Sequence, residues 1–290
     1  MSVSQIFSAF CNNLTINNKS SISDRYRLIT NRLNLDFYGY QSYVDHSLYV
    51  GSYGRGTAIR GFSDLDMIFI LPSAIYRQYN NYIGNGQSAL LQKVRSSLLK
   101  TYPKTSIGGD GQVVVVSFSD GMMFEVVPVF SEINGSYKYP DSNAGGRWRI
   151  TNPRPEMSKI RDYIYSDNLK WLCRMTRAWK GTNAVPMGGL LIDTLAYRFI
   201  CNWQYRDQGK VYYDWMCRDF FAFLANENRN KAYWHALGSN QLIHRKGSFE
   251  YKAKLAYHKS VEAIKAQNQK HWYTAKSKWR EIYGSAFPNL

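Results

Sequence analysis

Residues 51–71 read Gly51-Ser52-Tyr53-Gly54-Arg55-Gly56-Thr57-Ala58-Ile59-Arg60-Gly61-Phe62-Ser63-Asp64-Leu65-Asp66-Met67-Ile68-Phe69-Ile70-Leu71. A strand period of two divides the second half. Asp64, Asp66, Ile68 and Ile70 share one face, and Leu65, Met67, Phe69 and Leu71 the other. Both faces are apolar beyond Asp66, which predicts a central, buried strand. Two carboxylates side by side at the mouth of such a strand repel each other, and left ionised and unpaired they are costly. A divalent cation removes that cost, and hard carboxylate oxygens suit Mg²⁺. The plainer alternative is a pair of exposed acids held by nearby arginines such as Arg60.

The first half of the stretch follows a strand signal at Leu48-Tyr49-Val50. Glycine lets the backbone turn sharply and approach a ligand closely. N–H groups exposed there can bind phosphate oxygens, and Ser52 adds a hydroxyl donor. The spacing fits neither the P-loop nor the dinucleotide-binding pattern, so a plain tight loop explains it equally well.

A third feature lies downstream, in Met122-Met123-Phe124-Glu125-Val126-Val127-Pro128-Val129-Phe130. Glu125 is the one charge in an apolar strand. Buried alone it would be expensive, so it requires a cation, a metal or a strand-end position. A salt bridge to a basic side chain would serve.

The surrounding pattern supplies the frame. Helical periodicity runs in places through residues 3–33, with a break at 16–23 rich in Asn and Ser. Strands are expected at Val113 to Phe118 and Met122 to Phe130, joined by a turn at Ser119-Asp120-Gly121. Ala89 to Tyr102 reads as a helix, with Leu90, Leu91, Val94, Leu98 and Leu99 along one side. This order predicts an α+β fold: a mixed sheet with helices on one face. Residues 131–155, rich in Gly, Asn, Pro and Ser, read as a loop, and the pattern beyond them as helical to the end. The expected division is therefore a sheet domain over 1–150 and a helical domain over 151–290.

Composition limits the function. The 290 residues carry 37 basic and 21 acidic side chains, net +16. Residues 1–150 hold 14 basic and 10 acidic, net +4, so 23 and 11, net +12, fall beyond them. From Arg229 onward there are 12 basic and 3 acidic residues, net +9. Such a chain attracts polyanions. No apolar run approaches the ~20 residues of a membrane span, and the N-terminus lacks the features of a signal peptide, so a cytoplasmic protein without membrane partners is expected. Cys11, Cys173, Cys201 and Cys217 lie too far apart for a disulfide framework or a zinc ribbon and read as core thiols.

Taken together, the Gly-Ser turn, the acidic pair on the next strand and the third acid on a later strand resemble the polymerase β-type nucleotidyltransferases. The finer resemblance is to the bacterial cGAS/DncV-like nucleotidyltransferases, the CD-NTases of CBASS anti-phage signalling. It extends through GGRWRITNPRPEM, MGGLLIDTLAYRFI and the terminal KWREIYGSAFP. The resemblance implies that Asp64, Asp66 and Glu125 are catalytic and hold two Mg²⁺ ions, Mn²⁺ being an alternative. It implies that Gly51 and Ser52 cradle the donor triphosphate, with Arg177 or Lys180 as a basic triphosphate contact. It further implies NTP substrates, ATP among them, and a cyclic di- or oligonucleotide product that releases pyrophosphate and reaches a downstream effector by diffusion. The helical domain would close the nucleotide cleft, and the polymerase β-type mixed sheet would precede it. Three departures stand out: the third acid is Glu where Asp is commoner, Arg177 stands where Lys is usual, and Gly188-Gly189 replaces a phosphate-contacting serine. Competing readings are a linear oligonucleotide synthase, a tailing nucleotidyltransferase, and a nucleic-acid-binding protein with a vestigial site.

The basic C-terminus carries one more expectation, that it binds RNA or DNA as a regulator. Over 249–268, Ala253, Tyr257, Val261 and Ile264 form a stripe expected to face the core. Lys254, His258 and Lys265, with Lys252 and Lys259 beside them, lie off it. Tyr233, Trp234, Trp272 and Tyr273 would offer stacking surfaces. A solvated basic face with core aromatics accounts for the same residues.

Overall fold

A computed structural model describes residues 1–61 and 64–289. The chain divides into two compact units. One comprises Asn18–Gly54 and Asp64–Arg154, the other Met1–Asn17, Arg55–Ser63 and Pro155–Leu290. Residues 1–17 and 55–61, expected with the sheet, instead group with the helices.

The sheet unit is built on seven strands: β1 (Ser47–Tyr49), β2 (Leu65–Ile70), β3 (Ser106–Asp110), β4 (Val113–Ser117), β5 (Met123–Ser131), β6 (Tyr137–Asp141) and β7 (Arg147–Thr151). Their order is β1-β2-β5-β4-β3, with β6 pairing β5 and β7. β2 and β5 are parallel, and their other neighbours run antiparallel. The apolar alternation of β2 has its predicted consequence: Leu65, Met67, Ile68 and Phe69 are all buried. Helix Gly86–Thr101 lays Leu90, Leu91, Val94 and Leu98 into the core and packs on β3 and β4. Helix Lys19–Tyr38 lies against it and stops at Gly39, whose φ of 78° is the left-handed conformation that closes helices.

The segment 131–155 is not a loop throughout. Its Gly, Asn and Ser residues cluster in two turns, one before β6 and one between β6 and β7, and these strands pair antiparallel, with Pro140 opposite Trp148. Average composition over the window hid the two short strands.

The helical unit opens with helix Val3–Leu14, begun by a capping box in which Ser2 Oγ accepts from the Gln5 backbone and Gln5 Oε1 accepts from the Ser2 backbone. Phe7 and Phe10 pack against Trp279, Tyr283 and Phe287 near the other end of the chain. The remainder is helical, with one exception to the expectation. Strands β8 (Tyr233–His235) and β9 (Leu242–His244) form a hairpin. Trp234 turns inward from it, fully buried. Cys11, Cys173 and Cys217 are buried free thiols. No helix among the described residues is long and apolar enough to cross a membrane.

Candidate active site

The register of β2 against β5 brings the acids together. Asp66 and Glu125 are direct partners across the parallel pair, and Val115 of β4 lies on the far side of Glu125. Asp64 sits exposed, one residue before β2 and two before Asp66, so alternation directs both aspartates to one side of the sheet.

Electrostatics make the clustering explicit. Burial raises the Glu125 carboxyl, and the charges of Asp66 and Asp64, a hydrogen bond with Asp66 and the charge of Asp110 raise it further, to about 7. The groups that raise Glu125 are acids, Asp66 foremost among them. Among the described residues, no three His, Cys, Asp or Glu side chains already stand as a closed ligand set. Asp66 and Glu125 are the pair that meet, with Asp64 at the rim. Asp110, at the end of β3, was missed by sequence reasoning. It ends the strand Ser106-Ile107-Gly108-Gly109-Asp110, whose pairing only the folded sheet reveals.

Gly51 owes its identity to this site. It follows β1 with φ 58°, and a Cβ built there would overlap the Asp66 carboxylate. Only glycine permits both the backbone conformation and the close approach. Residues Gly51–Gly54 form a single helical turn, held by Val50 N–H donating to Asp66 O at 2.9 Å and Gly54 N–H donating to Val50 O at 2.8 Å. The turn carrying Ser52 is thus tied to the backbone of the strand carrying Asp66.

The basic residues expected at the triphosphate fare differently. Arg177, in helix Ser166–Thr182, is buried. Its Nη1 donates to Asp193 Oδ1 at 2.6 Å and its Nη2 to Asp193 Oδ2 at 2.8 Å, and the two also reach the carbonyls of Cys173 and Gly189. The guanidinium is committed to an internal bidentate pair, so a direct phosphate contact is not its place in this fold. The resemblance that pointed to Arg177 could not distinguish a buried cation from a ligand contact. Lys180, on the next turn, is half-buried.

The C-terminal surface also needs correction. In helix Glu250–Asn268, Ala253 and Ile264 are buried as expected, but Val261 is exposed, and Ala256, Ser260, Ala263 and Gln267 complete the inward face. Small residues let this helix approach its neighbours closely, a pattern that large-hydrophobe periodicity overlooks. Lys252 caps the carbonyls of Asn183 and Ala184, and Lys259 pairs with Glu281. Trp234 is no stacking surface: it is buried, its Nε1 donating to Glu227. Lys254, His258, Lys265, Tyr233 and Tyr273 remain exposed.

Residues 1–163 match the family described as Second Messenger Oligonucleotide or Dinucleotide Synthetase domain. The chain belongs to this family. Its fold is shared with solved CD-NTases. The structure of Escherichia coli MS115-1 CdnC with ATP matches with TM-score 0.67 at 15% identity, over 98% of each chain. Bradyrhizobium diazoefficiens CdnG in complex with GTP matches with TM-score 0.71 at 11% identity, over 97% of this chain and 94% of that one. Vibrio cholerae DncV, a cyclic AMP-GMP synthase solved with the linear intermediate pppA(3′,5′)pG, matches with TM-score 0.63 at 12% identity, over 84% of this chain and 69% of that one. No curated protein matches it in sequence. The α+β reading, a mixed sheet followed by a helical C-terminal part, is the architecture these synthetases share, and the chain is homologous to nucleotidyltransferases that make oligonucleotide second messengers.

Proposed function

We propose that this synthetase-family member joins NTPs into a cyclic di- or oligonucleotide, releasing pyrophosphate, as a cytoplasmic bacterial enzyme of CBASS anti-phage signalling whose diffusible product acts on an effector. The observation that carries the chemistry is the cross-strand pair of Asp66 and Glu125 beneath the Gly51 turn, with Asp64 beside it. The acids Asp66, Asp64 and Asp110 act together on Glu125, as carboxylates gathered to hold a cation would.

The cluster fits a divalent cation. Its donors are carboxylate oxygens, and the raised Glu125 carboxyl holds its proton more tightly than an ordinary carboxylate, a proton that a bound cation would displace. Asp64, Asp66 and Glu125 would hold Mg²⁺ or Mn²⁺, two ions in the complete site. When bound, such ions would neutralise charge on the attacking and leaving oxygens of a displacement at phosphorus. The chain's own residues do the rest. Gly51 lets the turn lie directly against the Asp66 carboxylate, Ser52 would contribute a hydroxyl donor to the triphosphate, and Lys180 is the remaining candidate of the basic pair. Donor and acceptor are NTPs, with ATP and GTP the first to try because CdnC and CdnG were solved with them.

A regulatory RNA or DNA bound at the exposed Lys254, His258 and Lys265 belongs to the same proposal, supported by the net charge of +9 from Arg229 onward. Incubating purified, nuclease-treated protein with labelled NTPs and Mg²⁺ tests the whole reading. Phosphatase-resistant cyclic product is expected, and added nucleic acid reveals any stimulation. A linear ladder would indicate an oligonucleotide synthase or tailing enzyme instead. No product in either condition, with duplex DNA or RNA still bound, would leave a nucleic-acid-binding protein with a vestigial site.

A further inference from the structure

We propose that the helical unit carries a binding site for a nucleoside phosphate beside the β8–β9 hairpin, in which Arg198 and Lys231 take the phosphate and Tyr233 stacks on the base. The site lies wholly within that unit and does not depend on the reading of Asp64, Asp66 and Glu125.

Strand alternation divides the hairpin into two sides. Trp234 and Ile243 are direct partners, and Trp234 is buried. Tyr233, opposite His244, and His235, opposite Leu242, share the other side, and all four are exposed. Beside β8 lies a cavity of about 400 Å³ lined by Arg198, Lys231, Ala232, Tyr233, Trp234 and His235. No carboxylate lines it. Its volume falls within the ~300–1,000 Å³ of small-molecule sites.

The cations are held in place but not neutralised. Arg198, half-buried, comes from helix Gly189–Asn202. Its Nη2 donates to His235 O at 2.9 Å, which pins the guanidinium against β8 and leaves most of its N–H groups for a ligand. The Lys231 ammonium lies 5.7 Å from the centre of the Trp234 ring. Among the described residues, neither cation pairs with a carboxylate. Elsewhere in the same unit Arg55, Arg177 and Arg245 each do, at 2.7, 2.6 and 2.8 Å. His235 Nδ1 lies 3.3 Å from Asn240 O. A carbonyl only accepts, so Nδ1 donates and Nε2 is the ring's acceptor, suited to a sugar hydroxyl.

Two unpaired cations select an anion, and the guanidinium fork matches phosphate oxygens. Phosphate alone would fill little of the cavity. Tyr233 supplies the complement: its ring is 46% exposed at the cavity wall, with the His235 ring at right angles to it and the two centres 5.7 Å apart. An open aromatic ring beside unpaired cations holds a nucleotide by stacking the base while the cations take the phosphate. A free nucleotide and the end of a single-stranded nucleic acid present the same phosphate, sugar and base.

The experiment measures binding of radiolabelled AMP to the full-length protein by equilibrium dialysis, at low salt and in EDTA. Hydrogen–deuterium exchange locates the contact. AMP is expected to bind and to slow exchange in β8. Arg198→Gln and Lys231→Gln should each weaken it at least fivefold and Tyr233→Leu at least threefold, while Lys254→Gln, on an exposed helix face, changes it less than twofold. Should Arg198→Gln fail to fold, the two substitutions on the hairpin segment carry the same comparison. Inorganic phosphate should compete at least tenfold more weakly than AMP, since it lacks the base. A 5′-phosphorylated oligoadenylate distinguishes the sources: competition at AMP strength admits a chain end, and none restricts the site to free nucleotide. Absence of AMP binding would overturn the proposal, as would binding that the three variants leave unchanged or phosphate that competes as well as AMP. Asp66→Asn should bind AMP as wild type does; binding that responds to Asp66→Asn instead would belong to the Gly51 turn and equally overturn it. Turnover plays no part in the readout, so failure of the nucleotidyltransferase reading would leave this result standing.

Discussion

Replacing Glu125 by Gln should stabilise the metal-free protein while destroying its activity. The folded Glu125 carboxyl titrates near 7 against an ordinary value of 4.5, chiefly through burial and then the charge of Asp66. Because the folded value is raised, the protein's stability is undiminished by this group below pH 4.5 and declines as pH rises through 7. The full displacement corresponds to at most ~3 kcal/mol. Glu125 is only partly buried, and solvent screening reduces that to about 1.5 kcal/mol. Glutamine keeps the shape and the hydrogen bond to Asp66 but cannot ionise. In EDTA at pH 8, Glu125→Gln should therefore melt roughly 3–6 °C above wild type. At pH 5 most of the difference should vanish, since wild-type Glu125 is then largely protonated. Saturating Mg²⁺ should reverse the order, stabilising wild type and not the variant. Product formation should fall at least ~100-fold, as expected for losing a metal-holding carboxylate. The measurement is calorimetric or circular-dichroism melting at both pH values with and without metal. Equal melting temperatures at pH 8 in EDTA, or a gap of the same size at pH 5, would refute the electrostatic reasoning and assign the effect to packing.

Further outcomes follow from the same geometry. Asp64→Ala and Asp66→Ala should abolish product yet leave the metal-free protein folded, because each removes one of several repelling carboxylates; aggregation of either, or near-normal turnover, would count against the site. Gly51→Ala should destabilise by roughly 2 kcal/mol or more, from a left-handed backbone and collision with Asp66, and should reduce turnover further than stability alone explains. Apparent Mg²⁺ affinity should rise from pH 6 to pH 8 as Glu125 gives up its proton, which isothermal titration at three pH values would test. Arg177→Ala should cost about 3–5 kcal/mol by stranding buried Asp193. A variant of undiminished stability with selectively weakened ATP binding would restore Arg177 to the triphosphate.

The sequence by itself determined the elements whose signal is local. Alternation in Leu65 to Leu71 made β2 central and put Asp64 and Asp66 on one side. The single charge in the strand around Glu125 marked it as needing a partner, and leucine spacing located helix Gly86–Thr101. Side-chain periodicity follows from backbone geometry, so it is written in the chain. What lay across the chain was not. The register that makes Asp66 the partner of Glu125 depends on how two parallel strands slide, which neither strand encodes alone. The necessity of Gly51 appears only when the Asp66 carboxylate is seen beside it. Arg177 and Lys180 look alike in sequence, yet Asp193, sixteen residues beyond Arg177, captures one of them. Arg55 reads as a loop arginine until Asp193 and Glu156, more than a hundred residues away, close around it. Charges, unlike apolar stripes, acquire their role from partners at a distance, and only the tertiary structure supplies those.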